Sequence, residues 1–236
     1  MNIKNYTVLL IVLLFISSAP LIHAQSLGGL NFIYNQALKD YKHNINSSPM
    51  GISFIGLYAI PESKFSIGAE LGVSMFANEE YTKDLTEEGY AGAMVEVYEE
   101  DCYISYHAVT RYTISENTML SPYLEGKLGG ISFFNDKVYE KPTGPNAPKK
   151  IKDKTEFLGT SFQYGMGAGM LLQLDYIFPS LPSEVKLDFG FTLFNGTETN
   201  YRSVNYTEDI VRSNTDVEYT SRTNNIAYKF GVVFGL

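Results

Sequence analysis

The stretch from Phe162 to Phe178 constrains the fold more than any other. Phe162, Tyr164, Met166, Ala168, Met170, Leu172, Leu174, Tyr176 and Phe178 alternate with Ser161, Gln163, Gly165, Gly167, Gly169, Leu171, Gln173, Asp175 and Ile177. A period of two is that of a β-strand, whose successive side chains point to opposite faces. The same alternation recurs from Phe65 to Met75, from Cys102 to Ile114, from Val185 to Leu193 and from Ile226 to Leu236. Weaker versions run through Leu30–Tyr34 and Ile52–Ile60. In SPYLEGKLGGISFF the apolar residues change parity between Leu128 and Ile131, which predicts a β-bulge at Gly129-Gly130. Eight strands are predicted in all.

The connections alternate in length. Pro61–Lys64, Ser115–Thr118 and Pro179–Ser183 are short, whereas Gln36–Pro49, Ala77 to about Asp101, Asn135–Glu156 and Asn195 to about Asn224 are long. Short turns at one end and long loops at the other are the layout of an antiparallel up-and-down transmembrane β-barrel. The faces agree with this layout. A soluble sandwich would show water a face rich in Lys, Glu and Thr. Here the non-apolar faces are rich in glycine and sparse in charge, as suits the interior of a small barrel. The bulky faces then meet lipid, with Tyr58, Phe65, Tyr112, Tyr176 and Phe178 forming the periplasmic aromatic girdle. A last strand that runs to Leu236 is expected to pair with the first, because only closure satisfies every backbone group in hydrocarbon.

Residues 1–24 have a lysine near the start, an apolar run from Val8 to Ile16 and a small-residue segment ending at Ala24. This is the grammar of a cleaved secretory signal, and the run is too short to span a bilayer as a helix. Residues 25–236 are then the barrel domain, expected in the outer membrane of a Gram-negative bacterium. Cys102 is the only cysteine, so an internal disulfide and cysteine-based metal sites are excluded. The formal charge of −8 argues against nucleic acid as a partner.

Parity assigns Glu70, Arg111, Glu125, Lys127, Asp175, Lys186, Asp188 and Lys229 to the lumen, four of each sign. An eight-stranded barrel is only wide enough to be filled by side chains, so these charges are expected to pair as a plug rather than line a pore. His107 is expected in the lumen near Arg111, and His43 in the first loop near Ser47 and Ser48. Their spacing defines no triad, so no catalytic residue and no cofactor are assigned. The second loop is acidic, with Glu79, Glu80, Asp84, Glu87, Glu88, Glu96, Glu99, Glu100 and Asp101. It reads as a solvated surface, with Ca²⁺ binding as the alternative. The third loop, KPTGPNAPKKIKDK, is basic, and the two are expected to attract electrostatically. The sequons at Asn195 and Asn205 are read as chance.

The terminal FGVVFGL resembles the C-terminal signal read by the outer-membrane barrel assembly machinery, through Gly231, Phe234 and Leu236. The final residue of such signals is usually Phe and the position before the glycine usually polar, whereas this chain has Leu236 and Phe230. With SLGGLNF and SPYLEGKLGG, the chain is similar to the small outer-membrane β-barrel domain family of Bacteroidota. That family includes relatives of PorT, a gliding and type IX secretion component, and is similar in shape to OmpX and the transmembrane domain of OmpA. The resemblance implies outer-membrane lipids, lipopolysaccharide and the assembly machinery as partners. The expected function is non-enzymatic: loops that bind a partner or support envelope integrity. A secretion-associated component, a narrow pore and a lipid-modifying enzyme are the alternatives.

Overall fold

The computed structural model describes residues 26–235 apart from 46, 87–88, 116–117, 145, 183 and 203–217. The leader at residues 1–24 and the terminal Leu236 lie outside the described residues. The elements in chain order are β1 (Ser26–Ala37), α1 (Lys39–Asn44), β2 (Met50–Ala59), β3 (Phe65–Asp84), β4 (Met94–Thr113), β5 (Leu120–Tyr139) and β6 (Lys154–Gln173). A 3₁₀ turn at Leu174–Tyr176 follows, then β7 (Val185–Gly196), β8 (Glu198–Arg202), β9 (Glu218–Arg222) and β10 (Asn225–Gly235).

Eight of the strands close a barrel in the order β1-β10-β7-β6-β5-β4-β3-β2, and β8 and β9 form a separate hairpin. Each barrel strand is antiparallel to its neighbours. The seam joins first to last, from Leu27 opposite Gly235 to Ala37 opposite Asn225. No helix among the described residues is long and apolar enough to cross a membrane, so crossing falls to the strands.

The barrel inverts the usual arrangement of a soluble protein. Phe32, Phe54, Leu71, Ile104, Leu128, Phe162, Phe191 and Phe230 point outward and are exposed. Asn31, Ser53, Ser161, Asp188 and Thr192 point inward and are buried. This outward band is predominantly apolar, and hydrocarbon is the solvent it fits. Tyr58, Phe65, Tyr176 and Phe178 lie exposed at the short-turn end, and half-buried Tyr112 packs on Phe65 at 4.9 Å between ring centroids. The glycines make room inside: a Cβ on Gly169 would lie 2.1 Å from the Tyr123 hydroxyl.

Several sequence expectations need correction. No bulge occurs at Gly129-Gly130; β5 continues in register with β4 through Gly130 opposite Tyr106 and Gly129 opposite His107. Ile131 and Phe133 instead point into the lumen, where they are buried. Bulges fall between Met75 and Ala77 and between Phe133 and Phe134. The strand through Phe162 ends at Gln173, where the chain turns as a 3₁₀ helix ahead of Pro179 and Pro182. The second long connection is largely strand and the third is strand only at its two ends, since β3, β4, β5 and β6 each have 20 residues. The first contains α1, and the fourth contains the β8–β9 hairpin.

Leu71 stands midway along the lipid-facing part of β3. A Leu71→Arg substitution is expected to destabilise the barrel by roughly 2–4 kcal/mol, the penalty for a cation near the bilayer midplane. Urea unfolding in phospholipid vesicles measures it.

Candidate functional site

The lumen is filled in layers. At the short-turn end Ile55, Leu57, Val109, Tyr123, Leu171 and Val233 form an apolar floor. Above them six charges meet. Glu125 is the hub, with Lys229 at 2.8 Å, Arg111 at 3.2 Å and Lys127 at 3.3 Å. Arg111 also pairs with Asp188 at 3.1 Å and Lys127 with Glu70 at 2.6 Å. Tyr123 donates its hydroxyl to Asp188, and the Arg111 guanidinium lies 4.0 Å from its ring centroid. Three cations and three carboxylates leave this layer formally neutral, which is what makes such burial tolerable.

Over the charges lies a cavity of about 30 Å³, bordered by Glu70, His107, Lys127, Gln163 and Tyr41 among others. Such a volume holds only one or two waters. The Nε2 of His107 and the hydroxyl of Tyr41 are buried without a protein partner. An aromatic lid closes the top. Tyr41, carried on α1, packs edge-on against Tyr201 of β8 at 5.1 Å and joins Phe76, Tyr103, Ile131 and Phe133. Asn44 donates to the Tyr201 hydroxyl at 3.0 Å and so ties α1 to the hairpin.

Of the lumen charges assigned by parity, Glu70, Arg111, Glu125, Lys127, Asp188 and Lys229 are brought together. Asp175 is not in the lumen network; it sits in the 3₁₀ turn and accepts from Gln173 at 3.2 Å. Lys186 lies half-buried near the turn end of β7, outside the cluster. His107 stacks on Phe194 at 4.8 Å, while His43 is exposed on α1. The hydroxyl of Ser47 donates to the Phe76 carbonyl and that of Ser48 accepts from Tyr34. Gly231 and Phe234 lie in the closing seam, Gly231 opposite Asn31 and Phe234 opposite Gly28. Sequence reasoning missed Tyr41 and Tyr201; the apolar pair of Tyr41 on α1 and Ile45 just past its end, four residues apart, was the available signal.

A second feature stands outside the membrane. A spanning strand needs about 9–11 residues, so the upper halves of β3 to β6 rise above the lipid as a wall. Leu85, Ala93, Val95 and Val97 form its own small core, with Tyr81, Tyr139, Ala147 and Ile151 packed against them. The acidic and basic loops therefore meet through apolar packing and backbone bonds, such as Met94 to Thr143 at 2.9 Å, rather than through opposed charge alone. Alternate residues of the acidic stretch turn inward: Glu99 and Asp101 are buried and accept from Asn135 at 2.7 and 2.8 Å. Glu80, Glu96 and Glu100 are exposed. Partial desolvation and the neighbouring Glu140, Glu80 and Glu96 carboxylates push the Tyr98 phenol up, a sign of the negative field on this face. Among the described residues no His, Cys, Asp or Glu side chains are grouped as a metal site.

Removing the hub tests the lumen. Glu125→Ala leaves Lys127 and Lys229 without a shared carboxylate and is expected to destabilise the barrel by roughly 3–5 kcal/mol, as breaking a buried pair does. Replacing Lys186 instead is expected to change stability by less than about 1 kcal/mol. Urea titration of both variants in vesicles reads the difference.

No family model matches the chain, and no curated protein matches it. Solved structures do. Neisserial surface protein A aligns with a TM-score of 0.50 at 10% identity, over 89% of this chain and 97% of that one. The attachment invasion locus protein Ail of Yersinia pestis, in complex with the heparin analogue sucrose octasulfate, aligns at 0.47 and 12% identity, over 91% and 100%. The N-terminal β-barrel domain of Pseudomonas aeruginosa OprF aligns at 0.39 and 9%, over 90% and 98%. At these identities the likeness is one of fold. The chain is an eight-stranded barrel of the small outer-membrane type, and its lipid-facing band places it in an outer membrane.

Proposed function

We propose that the protein is a non-enzymatic surface barrel whose projecting wall docks a basic, extended segment of a partner protein. One observation carries this reading: β2 stops pairing with β3 at Met50 opposite Met75, so Ala77–Asp84 pairs with β4 alone. Among the described residues no strand covers the other edge of that segment. An unpaired edge is a template for strand addition. Its neighbouring face carries Glu80, Glu96, Glu100 and Glu140 around Tyr98, so charge complementarity selects a cationic segment. The small core beneath holds the edge rigid, which lowers the ordering cost of binding.

The filled lumen supports this role over that of a pore, and the separation of exposed His43 from buried His107 gives no support to a lipid-modifying site. The finer kinship with Bacteroidota barrels related to PorT rests on the resemblance of SLGGLNF, in β1, and SPYLEGKLGG, in β5.

The test uses the whole barrel in phospholipid nanodiscs and an unstructured lysine-rich peptide as probe. Binding is expected to weaken steeply with salt, and Glu80→Lys with Glu100→Lys is expected to lower affinity at least about tenfold, or 1.4 kcal/mol. Equal binding by wild type and the charge-reversed wall, together with full rescue of a deletion strain's adhesion, secretion and detergent resistance by that variant, would overturn the docking role.

A further inference from the structure

At the mouth of the barrel, two adjoining grooves of about 450 and 560 Å³ share Lys39, Glu198, Arg222 and Asn224. One side is the first turn of α1 and the other is the β8–β9 hairpin. Tyr164 and Asn195, which pair across β6 and β7, border the outer end. We propose that this groove binds a neutral pyranose saccharide, carried on an outer-leaflet glycolipid headgroup or on a free glycan.

The groove is held in shape by its own bonds. The Leu38 amide donates to the Asn224 carbonyl at 2.9 Å, and the Asn224 side-chain oxygen accepts from the Gly196 amide at 3.1 Å. Lys39 has φ +54°, a left-handed conformation that residues other than glycine rarely adopt. Such strained positions concentrate at ligand clamps.

Its chemistry selects the ligand. Lys39 and Arg222 are balanced by Asp40 and Glu198, so neither a polyanion nor a metal cation is favoured. Within the described residues the side chains of Lys39, Asp40 and Asn195 make no hydrogen bond to protein, and Arg222 meets only Glu198, at 3.9 Å. Donors and acceptors of both kinds thus face the groove, as a ring of vicinal hydroxyls requires. Tyr164 adds a flat ring that is 56% exposed, suited to the apolar face of a sugar. Tyr164 stands level with Asn195 at the outer end of β7, where the lipid-facing band gives way to the mouth, so the nearest sugars are those of lipid headgroups.

This inference rests on the outer-membrane placement and is independent of the docking wall. The experiment places the whole barrel in nanodiscs containing a glycolipid with a neutral hexose headgroup, or phospholipid alone, and separately titrates the free neutral oligosaccharide. The glycolipid is expected to raise the temperature at which the barrel loses its folded gel mobility, and phospholipid alone is not. Tyr164→Ala and Asn195→Ala with Arg222→Ala are each expected to weaken binding about tenfold. Gel mobility confirms that each variant folds, and Glu80→Lys with Glu100→Lys should bind sugar as wild type does. Tight binding of the free oligosaccharide supports a soluble glycan as source, and binding of the lipid-borne form alone supports the headgroup. Equal response to phospholipid alone and to the neutral glycolipid, or undiminished binding by both groove variants, would overturn the proposal.

Discussion

Everything in this molecule follows from the pairing of β1 with β10. Inside hydrocarbon a backbone amide has no water to bond, and an unpaired one costs several kcal/mol. Eight open strands would leave two unpaired edges; the seam from Leu27–Gly235 to Ala37–Asn225 removes both. Closure also decides orientation. Once the sheet is a tube, the larger outer surface takes the bulky side chains, and the narrow inner one takes glycine, serine and the charges.

Closure at this strand number leaves no open channel, because an eight-stranded tube is only as wide as the side chains that fill it. The chain fills it with chemically distinct layers: apolar floor, charge cluster and aromatic lid. The charge layer is the informative one. Glu125 holds three cations that come from three other positions in the barrel, and each would be costly to bury alone. Such a cluster couples β3, β4, β5, β7 and β10 across the lumen, where no backbone bond reaches. The wall outside the membrane obeys ordinary soluble rules, with Val95 and Val97 inward, Glu80, Glu96 and Glu100 outward, and the inward Glu99 and Asp101 hydrogen-bonded to Asn135.

Much of the barrel could be read from residues alone, and the failures have physical causes. Phe162 to Leu172 announces a strand because lipid demands an unbroken apolar face. The parity rule failed at Ile131 and Phe133, since the upper lumen is itself apolar and an inward face there resembles an outward one. Asp175 was misassigned because alternation persists through Tyr176 and Phe178 although the backbone has already left the sheet. The run from Glu96 to Asp101 looked like a solvated loop because charge density masks alternation; only Val95 and Val97 hinted at a strand with an inner face. In the candidate groove no short segment carries a signal, as Lys39, Tyr164, Asn195 and Arg222 come from four separate elements.

By itself, the sequence determined which face of most strands meets lipid, how many times the chain crosses, and which end carries the long loops. These are local properties, set by the two-residue repeat of the extended backbone and by turn chemistry. Only the tertiary structure decided which inward groups meet. Arg111 finds Asp188 across 77 residues and Lys229 finds Glu125 across 104, and α1 reaches over the mouth to set Tyr41 against Tyr201. The physical reason is that strand tilt and register, not sequence distance, bring residues to the same level of a closed barrel.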